Sequence, residues 1–192
     1  MDAARDLFYE ERITKKEYTH EDILSLPEGR RAEIIDGVWY DMATPNYRHQ
    51  KILAALERKL WEYIEKKGGE CEVLFAPFAL FLTESKRNWL EPDIMVVCDR
   101  DKIKDDGCHG APDLVIEITS PSTVKKDMGV KLFKYRTEGV GEYWIVNPDK
   151  ELTTVYNFDE NIDKIGGELI GFDEELVSSL YTDFSICLKE YL

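Results

Sequence analysis

Two short apolar runs, Pro92-Asp-Ile-Met-Val-Val-Cys98 and Pro112-Asp-Leu-Val-Ile-Glu-Ile118, constrain the fold of this chain more than any other feature. Each is nearly continuous rather than alternating, the pattern of a strand covered on both faces, so both predict central strands of a layered α/β sheet. Each also holds an acid foreign to such a strand. A buried, unpaired carboxylate costs on the order of several kcal/mol, which singles out Asp93 and Glu117 as paired, hydrogen-bonded or metal-bound. If the two strands are neighbours, the carboxylates converge on one hard cation such as Mg²⁺, which lowers the pKa of bound water and neutralises charge developing on a phosphate. Spacing alone leaves a plainer alternative open: Asp93 solvated at a strand end, Glu117 turned outward by alternation, and Asp113 equally able to replace either.

The surrounding pattern supplies the layers. Thr19-His-Glu-Asp22 has capping-box spacing and predicts a short helix through Leu26. Asp36-Gly37 accepts the positive φ angles of a two-residue turn and predicts a hairpin from 32–35 and 38–42. Thr44-Pro45 reads as N-cap and first residue of a long helix, whose apolar face is Ile52, Leu53, Leu56, Leu60, Tyr63 and Ile64, ending at Gly68-Gly69. Residues 71–82 read as one strand with Pro77 at a bulge or edge. A second helix is expected over 123–138 with Gly139 as its C-cap, then a strand over 143–146. Beyond it, 152–158 and 168–172 read as a hairpin with a polar loop, and 184–188 as a last strand. The core order is helix, three strands, helix, strand, and no linker marks a boundary, so one domain over 1–192 is expected.

Composition narrows the function. The net charge of −14 argues against a general nucleic-acid coat, because phosphate affinity comes largely from Lys and Arg. The acidity is uneven: residues 1–136 carry 22 basic and 26 acidic side chains, residues 137–192 only 3 and 13. The nearly balanced part can still present a local basic face. Met1-Asp-Ala-Ala-Arg-Asp6 lacks the order of a signal peptide and no apolar run would span a bilayer, so a cytoplasmic protein without membrane contact is expected. Cys71, Cys98 and Cys187 sit among apolar or strand-like neighbours and no C-x-x-C pair exists, so neither a disulfide framework nor a zinc ribbon is indicated, and Cys108-His109 reads as loop. No phosphate-binding glycine loop is present, which sets nucleotide cofactors and nucleotide hydrolysis aside.

The ordered series Glu33-Ile-Ile-Asp36-Gly37, Pro45-Asn-Tyr-Arg-His49, Glu91-Pro92-Asp93, Ala111-Pro112-Asp113 through Glu117-Ile-Thr-Ser-Pro-Ser-Thr123, Asp127-Met-Gly-Val-Lys131-Leu-Phe-Lys-Tyr135 and Gly139-Val-Gly-Glu142-Tyr143-Trp144 resembles the Uma-two family of restriction-endonuclease-like proteins over roughly residues 18–158. The resemblance implies the PD-(D/E)XK nuclease fold: an α/β, restriction-endonuclease-like mixed sheet with a helix-strand-strand-strand-helix-strand core, an N-terminal hairpin and a C-terminal β extension. It implies Asp93 as the "PD" aspartate and Glu117 as the acid of the (D/E)XK triplet, together binding Mg²⁺ or Mn²⁺. The triplet here ends in Thr119, which cannot carry the lysine's charge. Lys131, with Tyr135 one turn on, resembles a helix-borne substitute; the alternative is an ordinary Asp127–Lys131 helix pair. Glu33 and His49 complete the implied catalytic set, each also readable as a plain solvated residue.

Two functions of different class follow. One is a metal-dependent endonuclease with DNA as substrate, working as a homodimer where two strands are cut. The other is a non-catalytic nuclease-fold module that binds a partner or nucleic acid, a reading that the missing lysine and net acidity favour. A homodimeric structural protein, pairing through sheet edges or the acidic C-terminal hairpin, is the third possibility.

Overall fold

The computed structural model of the protein describes residues 16–158 and 166–192. The Met1–Asp6 stretch and most of the polar loop expected after residue 158 lie outside them. In chain order the elements are α1 (His20–Leu24), β1 (Ala32–Ile35), β2 (Val38–Asp41), α2 (Tyr47–Lys67), β3 (Glu72–Phe75), β4 (Leu80–Phe81), β5 (Ile94–Val97), β6 (Ile103–Lys104), β7 (Gly107–His109) and β8 (Leu114–Ile118). Then come α3 (residues 124–137), β9 (Glu142–Asn147), β10 (Leu152–Asn157), β11 (Glu168–Gly171), β12 (Leu176–Val177) and β13 (Ser185–Ile186).

The central sheet has six strands in the order β11-β10-β9-β8-β5-β3. β3, β5 and β8 form an antiparallel meander, α3 then crosses over, and β9 returns parallel to β8. This is the expected core order, α2-β3-β5-β8-α3-β9, with the predicted hairpins before and after it. Both faces of β5 and β8 are covered, as their apolar runs demand. Ile94, Val96, Leu114, Ile116 and Trp144 pack against Ile52, Leu56, Leu60 and Ile64 of α2. Met95, Val97, Val115, Tyr143 and Ile145 meet Ile35 of the hairpin and Tyr135 of α3 on the other face. Strand alternation then assigns Asp93 and Glu117 to this second face, in step with Met95 and Val115.

Local chemistry explains most boundaries. Asp36 (φ 49°) and Gly37 (φ 79°) form the tight β1–β2 turn, and Asp22 accepts the Thr19 N–H at 2.9 Å to start α1. The long helix begins later than Thr44-Pro45 predicts: the Asn46 side chain accepts the His49 N–H at 2.9 Å, so Asn46 is the N-cap and Tyr47 the first residue. Residues 71–82 are two strands rather than one. Pro77 has no N–H to donate to a ladder, and after it the chain leaves the central sheet for a small three-stranded one, β4-β7-β6. Cys108-His109, expected as loop, lies in β7 of that sheet.

The reading that no disulfide is indicated is also corrected. The register Glu72↔Val97 sets Cys71 directly opposite Cys98, and the two are disulfide-bonded. The C-terminal extension is tied on by the fully buried Glu142, whose Oε2 accepts from Ser178 Oγ (2.9 Å) and Ser179 N (3.1 Å) while Oε1 accepts from Trp144 Nε1 (2.6 Å). The expected last strand is shorter, Ser185–Ile186, and gives way to a 3₁₀ turn over Leu188–Tyr191. No helix among the described residues is long and apolar enough to cross a membrane.

Candidate active site

In the β5–β8 ladder Ile94 faces Ile116, so one step further Asp93 faces Glu117. Cross-strand neighbours of this kind hold their Cβ atoms about 5 Å apart on one face. Both residues line a cleft of about 220 Å³ between the sheet end, the start of α2 and α3. Asp93 Oδ2 accepts the Ile118 N–H at 2.7 Å, which fixes the carboxylate, and Oδ1 lies 3.2 Å from His49 Nε2 on α2. His49 Nδ1 is buried with no hydrogen-bond partner among the described residues. Asp113 is no substitute: it performs the mirror role at the far end of the same strand pair, accepting the Cys98 N–H at 2.7 Å.

The cation comes from α3. Its first segment, Val124–Lys126, is α-helical, Asp127–Lys131 is a π-helical turn, and Leu132–Thr137 is α-helical again. Hydrogen bonding of the i→i+5 type brings residues five apart onto one side, so Lys126 and Lys131 face the cleft together. Lys131 Nζ lies 2.6 Å from Glu117 Oε1 and 2.7 Å from Glu33 Oε1, with 2% of its side chain exposed. Lys126 Nζ lies 2.5 Å from Glu33 Oε2. Tyr135 OH donates to Glu117 Oε1 at 2.8 Å. The alternative of a solvent-facing Asp127–Lys131 pair is thereby excluded. Thr119, in the motif lysine's place, spends its hydroxyl on Ser120 O and Thr123 Oγ1, both at 3.2 Å.

These contacts divide the acids. Burial opposes ionisation of Glu33, but Lys131 and Lys126 outweigh it and hold the carboxyl down to about 2. For Glu117 burial wins over Lys131, and the nearby Asp127, Glu33 and Asp93 add to it, raising the carboxyl to about 8. Asp127, itself buried, is raised by burial against the pull of both lysines. Four acids therefore share two cations, and a proton on Glu117 relieves part of the excess negative charge.

Among the described residues no set of three His, Cys, Asp or Glu side chains forms a ready-made metal cage. The donor set nevertheless fits Mg²⁺ or Mn²⁺, which bind through one or two carboxylates and keep open positions for water and substrate phosphate. Asp93 Oδ1 and the second oxygen of Glu117 are the atoms left for such an ion, since Glu117 makes its hydrogen bonds through Oε1.

Of the residues singled out from sequence, Asp93, Glu117, Lys131, Glu33, His49 and Tyr135 all come together at this one cleft, Tyr135 through Glu117. Lys126 and Asp127 were not expected there. Their signal, two charges four and five positions before Lys131, becomes legible only once the π turn is known.

A mixed sheet with a three-strand meander, a helical crossover and two acids at one strand end defines a restriction-endonuclease-like α/β fold. The chain matches the Uma2 family, described as "Putative restriction endonuclease", over residues 20–179 and belongs to that family. It is 30% identical over 117 residues to the "Uncharacterized protein slr1290" of Synechocystis sp. (strain ATCC 27184 / PCC 6803 / Kazusa), a match spanning 60% of each chain. In fold it is similar to the crystal structure of "a putative nuclease belonging to DUF820" from Anabaena variabilis ATCC 29413, with a TM-score of 0.69 at 21% identity, covering 91% of this chain and 97% of that one.

Proposed function

We propose that this protein is a nuclease that hydrolyses DNA phosphodiester bonds with Mg²⁺ or Mn²⁺ held by Asp93 and Glu117. The observation that supports this most is the direct cross-strand pairing of those two acids with a buried lysine 2.6 Å from one of them. When bound, the ion supplies an acidified water and neutralises phosphate charge. The remaining work falls to side chains already in place. Lys131 offers the fixed positive charge that Thr119 lacks, where negative charge builds on the phosphate oxygens. Glu33 is a positioning residue, holding Lys131 and Lys126 side by side. His49 orients Asp93, and Tyr135 locks the rotamer of Glu117.

The test is purified protein with supercoiled, linear and single-stranded DNA at low ionic strength, where phosphate contacts are least screened. Cleavage with millimolar Mn²⁺ or Mg²⁺ is expected, and chelation should stop it. Absence of both cleavage and calorimetric Mn²⁺ binding in folded protein would overturn the assignment. A second reading, a non-catalytic module that binds a partner or nucleic acid, is favoured by the commitment of Lys131 to two carboxylates. Binding without cleavage is its signature. A single domain, a homodimer and a cytoplasmic location remain part of the proposal, the dimer being open to sedimentation.

A further inference from the structure

A second concavity adjoins the cleft. It has a volume of about 610 Å³ and is walled by Trp39 and Tyr40 of β2 and by Ser122, Lys125, Lys126 and Val130 at the start of α3. It shares Asp41, Ala43, Thr123 and Lys126 with the cleft, so the two are one continuous depression with Lys126 at the boundary. The chemistry of its walls is distinctive. Lys126, held by Glu33, lies 5.6 Å from the centre of the Tyr40 ring. Trp39 and Tyr40 are half-buried; Trp39 packs on Tyr18 with ring centres 5.1 Å apart and donates its indole N–H to Asp41, while Tyr40, paired with Glu33 across the hairpin, is the ring on the side of Lys126. Lys125 is exposed and has no ion-pair partner among the described residues, whereas most cations near the cleft are committed to carboxylates. Half-exposed rings beside an uncommitted lysine recognise a base and its phosphate together.

We propose that this groove is a nucleotide subsite that seats an unpaired base of single-stranded nucleic acid on Tyr40, with the adjoining phosphate on Lys125. The inference rests on the nuclease reading and adds the substrate class to it. Stacking on this ring requires a base free of its partner, since a paired base keeps its faces inside the duplex stack. Charge points the same way. A chain of net charge −14 with few free cations has little to neutralise the dense phosphates of a duplex, whereas aromatic stacking gives affinity without charge.

The test is fluorescence anisotropy with a labelled single-stranded oligodeoxynucleotide, its RNA counterpart and a hairpin duplex, in EDTA and at low salt, alongside the cleavage assay. The parent should bind the single strands at least about tenfold more tightly than the duplex. Tyr40→Ala should weaken that binding about tenfold, with Tyr40→Phe restoring most of it. Lys125→Glu, at an exposed position, should weaken binding and flatten its salt dependence by about one phosphate contact. DNA and RNA arms separate the two sources of the same chemistry. Parent-like single-strand binding by Lys125→Glu and Tyr40→Ala, tighter binding of duplex, or no binding at all overturns the subsite. If those variants both bind and cleave like the parent, the subsite falls and the nuclease reading stands. If single strands bind through the groove and nothing is cut, the nuclease reading falls and the subsite stands.

Discussion

Replacing Glu117 by glutamine tests whether burial or Lys131 governs that carboxyl. In the folded protein it is raised from 4.5 to about 8, so between these values the native state holds a proton that the unfolded chain has lost. Stability contributed by this group is therefore lost as pH rises from 4.5 to 8 and is level above that. Linkage puts the penalty at ~2 kcal/mol at pH 6 and ~4 kcal/mol at pH 8, a difference of about 2 kcal/mol. The amide of the Glu117→Gln variant keeps an acceptor for Lys131 and Tyr135 but does not titrate. Relative to the parent, this variant should gain about 2 kcal/mol of unfolding free energy between pH 6 and pH 8. Urea melts of both proteins at the two pH values, without divalent ions, measure it. A free-energy difference between variant and parent that is the same at both pH values would refute the reasoning. It would mean that Glu117 is ionised throughout and that the 2.6 Å contact with Lys131, not burial, sets its state.

Glu33 has the opposite sign: its carboxyl is lowered to about 2, so its contribution is present above pH 4.5 and lost as pH falls toward 2. Glu33→Gln should cost about 3 kcal/mol at neutral pH in the same melts, with much of the cost gone at pH 3. Asp93→Asn should abolish cleavage while leaving the melting midpoint little changed or slightly higher, since it removes one of the crowded charges; retained activity would point to a contaminant. Lys131→Met should remove activity and destabilise by about 3 kcal/mol or more, because two buried acids lose their cation. Mn²⁺ affinity, read by calorimetry, should rise by up to about tenfold per pH unit toward pH 8, because the ion displaces the Glu117 proton.

Legibility from sequence followed the range of the interactions. Asp36-Gly37 announces its turn because the requirement for positive φ is local. Asp93 and Glu117 were visible because an acid in an apolar run violates burial, whereas Lys131 and Tyr135 stood out only through the family resemblance, since helical spacing alone fits an ordinary Asp127–Lys131 pair as well. What escaped depends on partners remote in the chain. Nothing near Cys71 or Cys98 signals the bond, which follows from the register of β3 on β5. Thr44-Pro45 is as good a helix start as Asn46 until the Asn46 side chain is seen on the His49 N–H. Glu142 sits in a strand as Glu117 does, yet it anchors the C-terminal segment, a difference set wholly by what packs over each.

The π turn makes the winding of the chain, rather than its composition, critical at one place. Of the residues inside Asp127–Lys131, Gly129 is open enough to accept a side chain. Substitution there should be harmless. Winding the same residues as an ordinary α turn is another matter, since at about 100° per residue it would leave Lys131 about 140° round the helix from Lys126. Lys131 and Tyr135 would then swing off Glu33 and Glu117 together, though every residue of the motif was still present. A relative lacking one residue between these lysines would keep them on one face of an unbroken α-helix, as an i,i+4 pair, so such a gap alone should leave the paired lysines in place.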